Sequence, residues 1–237
     1  MSGKRLEQAF IFDVFGTLVD WRSGVARVVS EASRSRGLDV DALAFADYWR
    51  GLYQPSMEGV RTGNRGYVAL DKLHRENLDA TLAYFRVGSA FDEAARVRLN
   101  HAWEQLPAWA DVVDGLERLR PAALLAPCSN GSVSLMVRLS RFAGLQWDTV
   151  AGAELAQDYK PKPRVYLASC AALGLSPEQV TMVAAHNSDL QAARDAGLRT
   201  AFIPRPTEYG VDQTVDLTPD EDWDHVVDRI GALADSL

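Results

Sequence analysis

The chain has 237 residues, a formal net charge of −7, 47% hydrophobic residues and 24% charged residues. That is the composition of an ordinary globular protein, long enough for one full core plus an elaboration. No apolar run approaches the ~20 residues that span a bilayer, so no membrane helix is expected. The acidic balance argues against nucleic acid as a partner and demands a local cationic site for any anionic substrate.

Met1-Ser2-Gly3-Lys4-Arg5 runs into the first apolar stretch with no signal-peptide core, so a cytosolic protein is expected. Short apolar runs recur at Ala9–Phe12, Ala122–Pro127, Thr181–Ala185 and Thr200–Ile203. Their near-continuous apolarity suits parallel strands covered on both faces. Helical patterns lie between them: Asp111–Arg120 before Pro121, Arg164–Leu173 between Pro163 and Gly174, and Asp189–Ala196 before Gly197. The alternation predicts an α/β fold with a doubly wound, Rossmann-like parallel sheet and right-handed crossovers.

From about Trp21 to Leu99 this alternation breaks. Leu70, Leu73, Leu78, Leu82 and Phe85 keep helical spacing without strand runs, and Gly59–Gly66 reads as a loop between helices. The expected organisation is a core of residues 1–20 and 100–237 with a helical cap at 21–99. A cleft between two such units is a favoured place for a site. Cys128 and Cys170 fit no metal or redox spacing and are expected as reduced core thiols.

Four polar constellations follow apolar runs. Asp13-x-Phe15-Gly16-Thr17 puts a carboxylate at a strand end, where α/β proteins bind ligands, with Gly16 permitting a tight turn and Thr17 able to hydrogen-bond back to the carboxylate. An ordinary Asx turn gives the same pattern at even odds. Cys128-Ser129-Asn130-Gly131-Ser132 offers oxyanion-binding groups, or simply a helix N-cap. Tyr159-Lys160-Pro161-Lys162-Pro163 sets a lysine on a stiff approach, able to pair with Asp13 and hold it ionised, or a solvated basic loop. Ala184-Ala185-His186-Asn187-Ser188-Asp189 ends a buried strand, and Asp189 there either orients a water or caps a helix. Their occurrence together and in order outweighs each alone.

In that order the residues resemble the haloacid dehalogenase superfamily over nearly the whole chain. Asp13 is similar to its first motif, Ser129 to its second, Lys160 to its third and Asp189 to its fourth. Phosphatases of that superfamily carry a second Asp two residues after the nucleophile; here that position is Phe15, which transfers no proton. Ala184-Ala185 stands where those enzymes keep magnesium ligands, and two carboxylates make a poor octahedral site.

The metal-free branch that the chain resembles is the (S)-2-haloacid dehalogenases. Trp49-Arg50, Ser129-Asn130-Gly131-Ser132, Tyr159-Lys160-Pro161 and Arg164-Val165-Tyr166 are similar to pieces of that branch. Its Ser-Ser-Asn stretch is replaced by Ala184-Ala185-His186, with Asn187 shifted by one.

The resemblance implies a metal- and cofactor-independent hydrolase that converts short 2-haloalkanoic acids to 2-hydroxy acids through an Asp13 ester. Lys160 keeps Asp13 ionised and Asp189 serves as general base, with His186 or Asn187 orienting water. Arg50 and Asn130 receive the halide. Thr17 and Ser129 hold the substrate carboxylate, Trp49 and Phe15 line the pocket, and Tyr166 supports Lys160 or Asp189. His186 is linked to small or poorly activated substrates such as fluoroacetate. Partners are the anionic haloacid and the halide product, and a homodimer is plausible from the apolar cap. Other readings stay open: a magnesium-dependent phosphatase, a phosphonate hydrolase using Lys72, or a non-catalytic binding protein.

Overall fold

Four buried residues, Ala9–Phe12, form β1 at the middle of a six-stranded sheet. The computed structural model describes residues 8–236. After β1 come five helices and no strand: α1 (Trp21–Arg34), α2 (Ala42–Gly51), α3 (Tyr53–Arg61), α4 (Leu70–Tyr84) and α5 (Glu93–Asn100). A short 3-10 turn, His101–Glu104, leads back to α6 (Val112–Leu119) and β2 (Leu124–Ser129). The remainder alternates: α7 (Val133–Ala143), β3 (Ala151–Gly152), α8 (Ala153–Ala156), α9 (Pro163–Leu173), β4 (Val180–Ala184), α10 (Asn187–Asp195), β5 (Arg199–Phe202) and β6 (His225–Val226).

The sheet order is β3-β2-β1-β4-β5-β6 and every pairing is parallel. Phe12 aligns with Pro127 of β2 and with Val183 of β4, so the carboxyl ends of the three central strands lie within two residues of one another. Asp13, Ser129-Asn130 and Ala185-His186 therefore emerge at the same sheet edge, the carboxyl end where open α/β sheets bind ligands.

Side chains alternate between the two faces of β1. Phe10 and Phe12 join a core that extends into the helical insertion through Trp21, Trp49 and Trp103. Ala9 and Ile11 pack on the other face with Val165, Tyr166 and Leu190 from α9 and α10. Burying a side chain such as Phe12 or Ile11 contributes about 1.5–3 kcal/mol. Local signals fix the helix starts. Asp20 accepts from the Ser23 amide, Asp41 from Leu43 and Ala44, and Ser132 from Leu135. Pro163 opens α9, and Gly174, at φ +67°, closes it.

Three expectations shift. The strand after Pro121 starts at Leu124 and runs on to Ser129, so Cys128-Ser129 belongs to the strand. Gly59 lies within α3, and its loop begins only after Arg61. The two-residue strands β3 and β6 carry too little pattern to be legible from sequence. Cys128 and Cys170 are buried and unbridged, and burial pushes their thiols up to about 12 and about 11. No helix among the described residues is long and apolar enough to cross a membrane.

Candidate active site

A cavity of about 400 Å³ opens over the carboxyl edge of β1 and β4, with Asp13 at its floor. Asp13 is 8% exposed, and every contact it makes stabilises the charged form. Lys160 Nζ donates to its Oδ1 at 2.9 Å and the Thr17 hydroxyl to its Oδ2 at 2.7 Å, while His186 Nδ1 stands 3.3 Å from Oδ2. Burial alone would raise its pKa; the charge of Lys160 and the hydrogen bond from His186 overcome this and hold the carboxyl well below the usual carboxylate range.

Lys160 is as constrained as Asp13. Its ammonium lies between two carboxylates, donating to Asp13 and, at 2.5 Å, to Asp189 Oδ2. The Tyr166 hydroxyl donates to Asp189 Oδ1 at 2.5 Å. Burial opposes the lysine's charge, but the two carboxylates raise its pKa above normal, so Lys160 is a fixed cation. The Asn130 side-chain carbonyl accepts the Lys160 backbone amide at 2.8 Å and ties the lysine loop to the end of β2.

The helical insertion supplies the opposite wall. Arg50, Tyr53 and Gln54 line the cavity from the end of α2 and the start of α3. The Arg50 guanidinium sits 4.1 Å from the Tyr53 ring centre and 5.9 Å from that of Phe15, and its Nη1 is buried with no hydrogen-bond partner. Phe15 lines the same cavity, packed edge-on against Trp103 at 5.7 Å.

Several expected positions lie elsewhere. Trp49 is fully buried among Phe45, His74 and Trp103 and donates its indole N–H to the His74 carbonyl, so it packs the insertion's core and does not line the cavity. Adjacent residues on a helix point about 100° apart, which is why Arg50 enters the cavity and Trp49 cannot. Thr17 spends its hydroxyl on Asp13 and accepts the Ala185 amide, leaving none for a substrate carboxylate. Ser129 is fully buried and accepts from the Gly131 amide. Asn187 turns away: it contacts Asp216, the Thr218 carbonyl, the Asp220 amide and the Trp223 indole. Asp189 is not the cap of α10; that position is His186, and Asp189 lies in the first turn.

The segment after β5 carries residues that no motif announced. Glu208 is 1% exposed, accepts from the Trp21 indole at 2.9 Å and meets His186 Nε2 at 2.9 Å. Gly16, at φ +94°, is required here because a Cβ would sit 2.1 Å from Glu208 Oε1. Ser188, Tyr209 and Asp216 complete the cavity wall. Burial opposes a charge on His186, yet Glu208 and Asp13 raise its pKa well above 6.5. Arg205, paired with Asp111 and bonded to the Thr17 carbonyl, anchors this segment against the turn after β1 and the start of α6. Among the described residues no trio of His, Cys, Asp or Glu is placed to hold a metal ion.

A buried carboxylate held ionised by a fixed lysine, at the edge of a parallel sheet and beneath a helical insertion, defines a class of hydrolase. Residues 7–197 match the model of the haloacid dehalogenase-like hydrolases, and the chain belongs to that family. Its similarities concentrate in one branch. It is 30% identical over 208 residues, 85% of this chain and 86% of the relative, to (S)-2-haloacid dehalogenase 4A of Burkholderia cepacia. It is 28% identical over 97% of its length to the (S)-2-haloacid dehalogenase of Pseudomonas fluorescens, covering 96% of that protein. The crystal structure of a defluorinating L-2-haloacid dehalogenase superimposes over the whole chain and 97% of its own, with TM-score 0.95 and 44% identity.

Proposed function

We propose that the protein is an (S)-2-haloacid dehalogenase that hydrolyses short 2-haloalkanoic acids, haloacetates and fluoroacetate among them, to 2-hydroxy acids. The observation that carries this reading is the environment of Asp13. The carboxylate is kept ionised by Lys160, and Phe15 stands two residues on, where a proton donor would be needed to release an alkoxide. A halide leaves without a proton. The names of the similar proteins support the same branch, and the 44% identical neighbour is described as defluorinating.

In this mechanism an Asp13 carboxylate oxygen attacks the carbon bearing the halogen from the face opposite the leaving group and inverts it. The product of the first step is an ester between Asp13 and the 2-hydroxy acid, and the halide departs toward Arg50, whose buried Nη1 is free to donate. Ser188 and Lys160 form the polar wall that faces the substrate carboxylate, and Asn130 lines the cavity as the second donor for the halide. Water then attacks the Asp13 carboxyl carbon, the alcohol oxygen of the hydroxy acid leaves, and the Asp13 carboxylate is regenerated. Thr17, Ser129, Trp49 and Asn187 act at one remove, by holding Asp13, the loops or the insertion.

The reading includes metal independence. Lys160 supplies the positive charge that Asp13 and Asp189 share, and the two carboxylates alone make a poor octahedral site. The test is halide release from 2-chloropropionate by protein dialysed against chelator, followed by single turnover in heavy-oxygen water with enzyme in excess. Release unaffected by chelator, with label entering the Asp13 peptide first, is the expected result. Magnesium-stimulated cleavage of a phosphoryl ester without halide release overturns the reading.

A further inference from the structure

We propose that His186 and Glu208 form the proton-accepting couple of the hydrolytic step, with His186 Nδ1 taking the proton from the water that attacks the Asp13 ester and Glu208 fixing and charging the ring through Nε2. The inference rests on the dehalogenase reading of the site and replaces the expectation that Asp189 is the base. Asp189 has one oxygen on the Lys160 ammonium and the other on the Tyr166 hydroxyl. A carboxylate so engaged orients the lysine, and accepting a proton would weaken its charge-assisted contact with Lys160.

The geometry of the couple is that of a base with its orienting acid. His186 bridges the two carboxylates: Nδ1 faces Asp13 Oδ2 at 3.3 Å and Nε2 faces Glu208 Oε2 at 2.9 Å. Glu208 is held in turn by the Trp21 indole and is packed against Gly16, so neither partner can swing away. His186 also lines the cavity, which puts its Nδ1 edge where water must stand to reach the Asp13 carboxyl carbon.

The same geometry times the step. In the resting site His186 lies between two anions, and its imidazole is protonated. Alkylation turns Asp13 into a neutral ester and removes one of those anions. The charged and titratable groups facing the cavity around His186 are then Glu208, Asp189, Asp216, Tyr53 and Tyr209, with Lys160 and Arg50 as the cations. With Asp13 silenced, His186 releases its proton to solvent and becomes a base only after the ester exists.

The cycle balances. Neutral His186 takes a proton as water adds to the ester. The imidazolium returns that proton to the departing hydroxy-acid oxygen, leaving Asp13 as a carboxylic acid. The acid proton passes back to His186 and restores the resting pair. One haloacid and one water thus give one 2-hydroxy acid, one halide and the single proton lost at the ester stage.

Glu208→Gln keeps the size of the side chain and an acceptor for Trp21, and His186→Gln removes the ring. Rapid-mixing measurement of halide against hydroxy acid is the test, with intact-protein mass to detect the ester. Both variants are expected to give a halide burst of about one per site, followed by hydroxy-acid formation slowed about 10²-fold or more, with the ester persisting. In the wild type the single-turnover hydrolysis rate should rise with pH and show a solvent isotope effect; Glu208→Gln should shift that profile to lower pH, an effect that a merely structural role would not produce. Halide and hydroxy acid slowing together, with no ester detected, overturns the proposal. So does a wild-type hydrolysis rate independent of pH, a measurement that needs no variant to fold. If the wild type releases no halide from any 2-haloacid, the dehalogenase reading itself falls.

Discussion

The two walls of the cavity are built on opposite principles. On the core side, Asp13, Lys160, Asp189, Tyr166, His186 and Glu208 hold one another in a continuous set of contacts. On the side of the helical insertion, Arg50 Nη1 is buried at the cavity without a partner, and behind it, outside the cavity lining, the His74 ring nitrogens and the Trp103 indole N–H are likewise unpaired. Burial and the nearby charge of Arg50 lower the His74 pKa well below 6.5, so that ring is neutral. The difference teaches how the work is divided. The nucleophile must be charged before substrate arrives, so its counter-charges are prearranged and need no reorganisation. The leaving anion exists only after bond cleavage, so its donors cannot be satisfied by the protein beforehand without losing their use.

The largest expected effect comes from breaking the core wall. Lys160→Met leaves Asp13 and Asp189 buried without their cation, which should lower stability by about 3–5 kcal/mol and abolish halide release; chemical denaturation and a halide electrode measure both. Arg50→Gln tests the other wall. It should reduce kcat by about 10²–10³-fold while leaving the denaturation midpoint close to wild type, because no intramolecular hydrogen bond of Nη1 is lost. If Arg50→Gln proves as destabilising as Lys160→Met, the contrast between the walls is false.

Thr17→Val probes a single contact of the prearranged side. It removes a donor to Asp13 and the acceptor of the Ala185 amide, at a cost of about 1–3 kcal/mol measured by thermal unfolding. The smallest effect concerns pH. The folded-state pKa of His186 lies above 6.5, so its stabilising contribution is fully present below pH 6.5 and is lost as pH rises through the folded value. The melting temperature of the wild type should therefore converge on that of His186→Gln as pH is raised from below 6.5. A gap that widens with pH would contradict the ion pairing described.

What was legible in the sequence follows from how locally each feature is encoded. Central strands are short apolar runs, and Ala9–Phe12 is found where its pattern puts it. Asp13 and His186 reach one site because each follows such a run, whereas Lys160 follows the short helix α8 and is brought there by the bond of its backbone amide to Asn130. Trp49 and Arg50 share one dipeptide in the sequence, yet helix geometry sends the two side chains to different faces. Thr17 bonds back to Asp13 as its place in the first motif suggests, but neither it nor Ser129 is a substrate ligand, because a hydroxyl at a strand end has the same letter whether it faces the cavity or the protein's own groups. Glu208 left no local trace. It sits in an irregular segment, and the only sign of it in the first motif is Gly16, whose missing Cβ makes room for a carboxylate 192 residues away.

Asn187 clasps the chain beyond β5 at four points, from Asp216 to Trp223, and so keeps the stretch that carries Glu208 and Tyr209 docked beside the nucleophile. The nucleophile stands at the end of β1 and its lysine in the loop between α8 and α9, whereas the partner of His186 arrives on an irregular strap beyond β5. Any change that loosens this clasp therefore reaches His186 through Glu208 while leaving the contact between Lys160 and Asp13 in place.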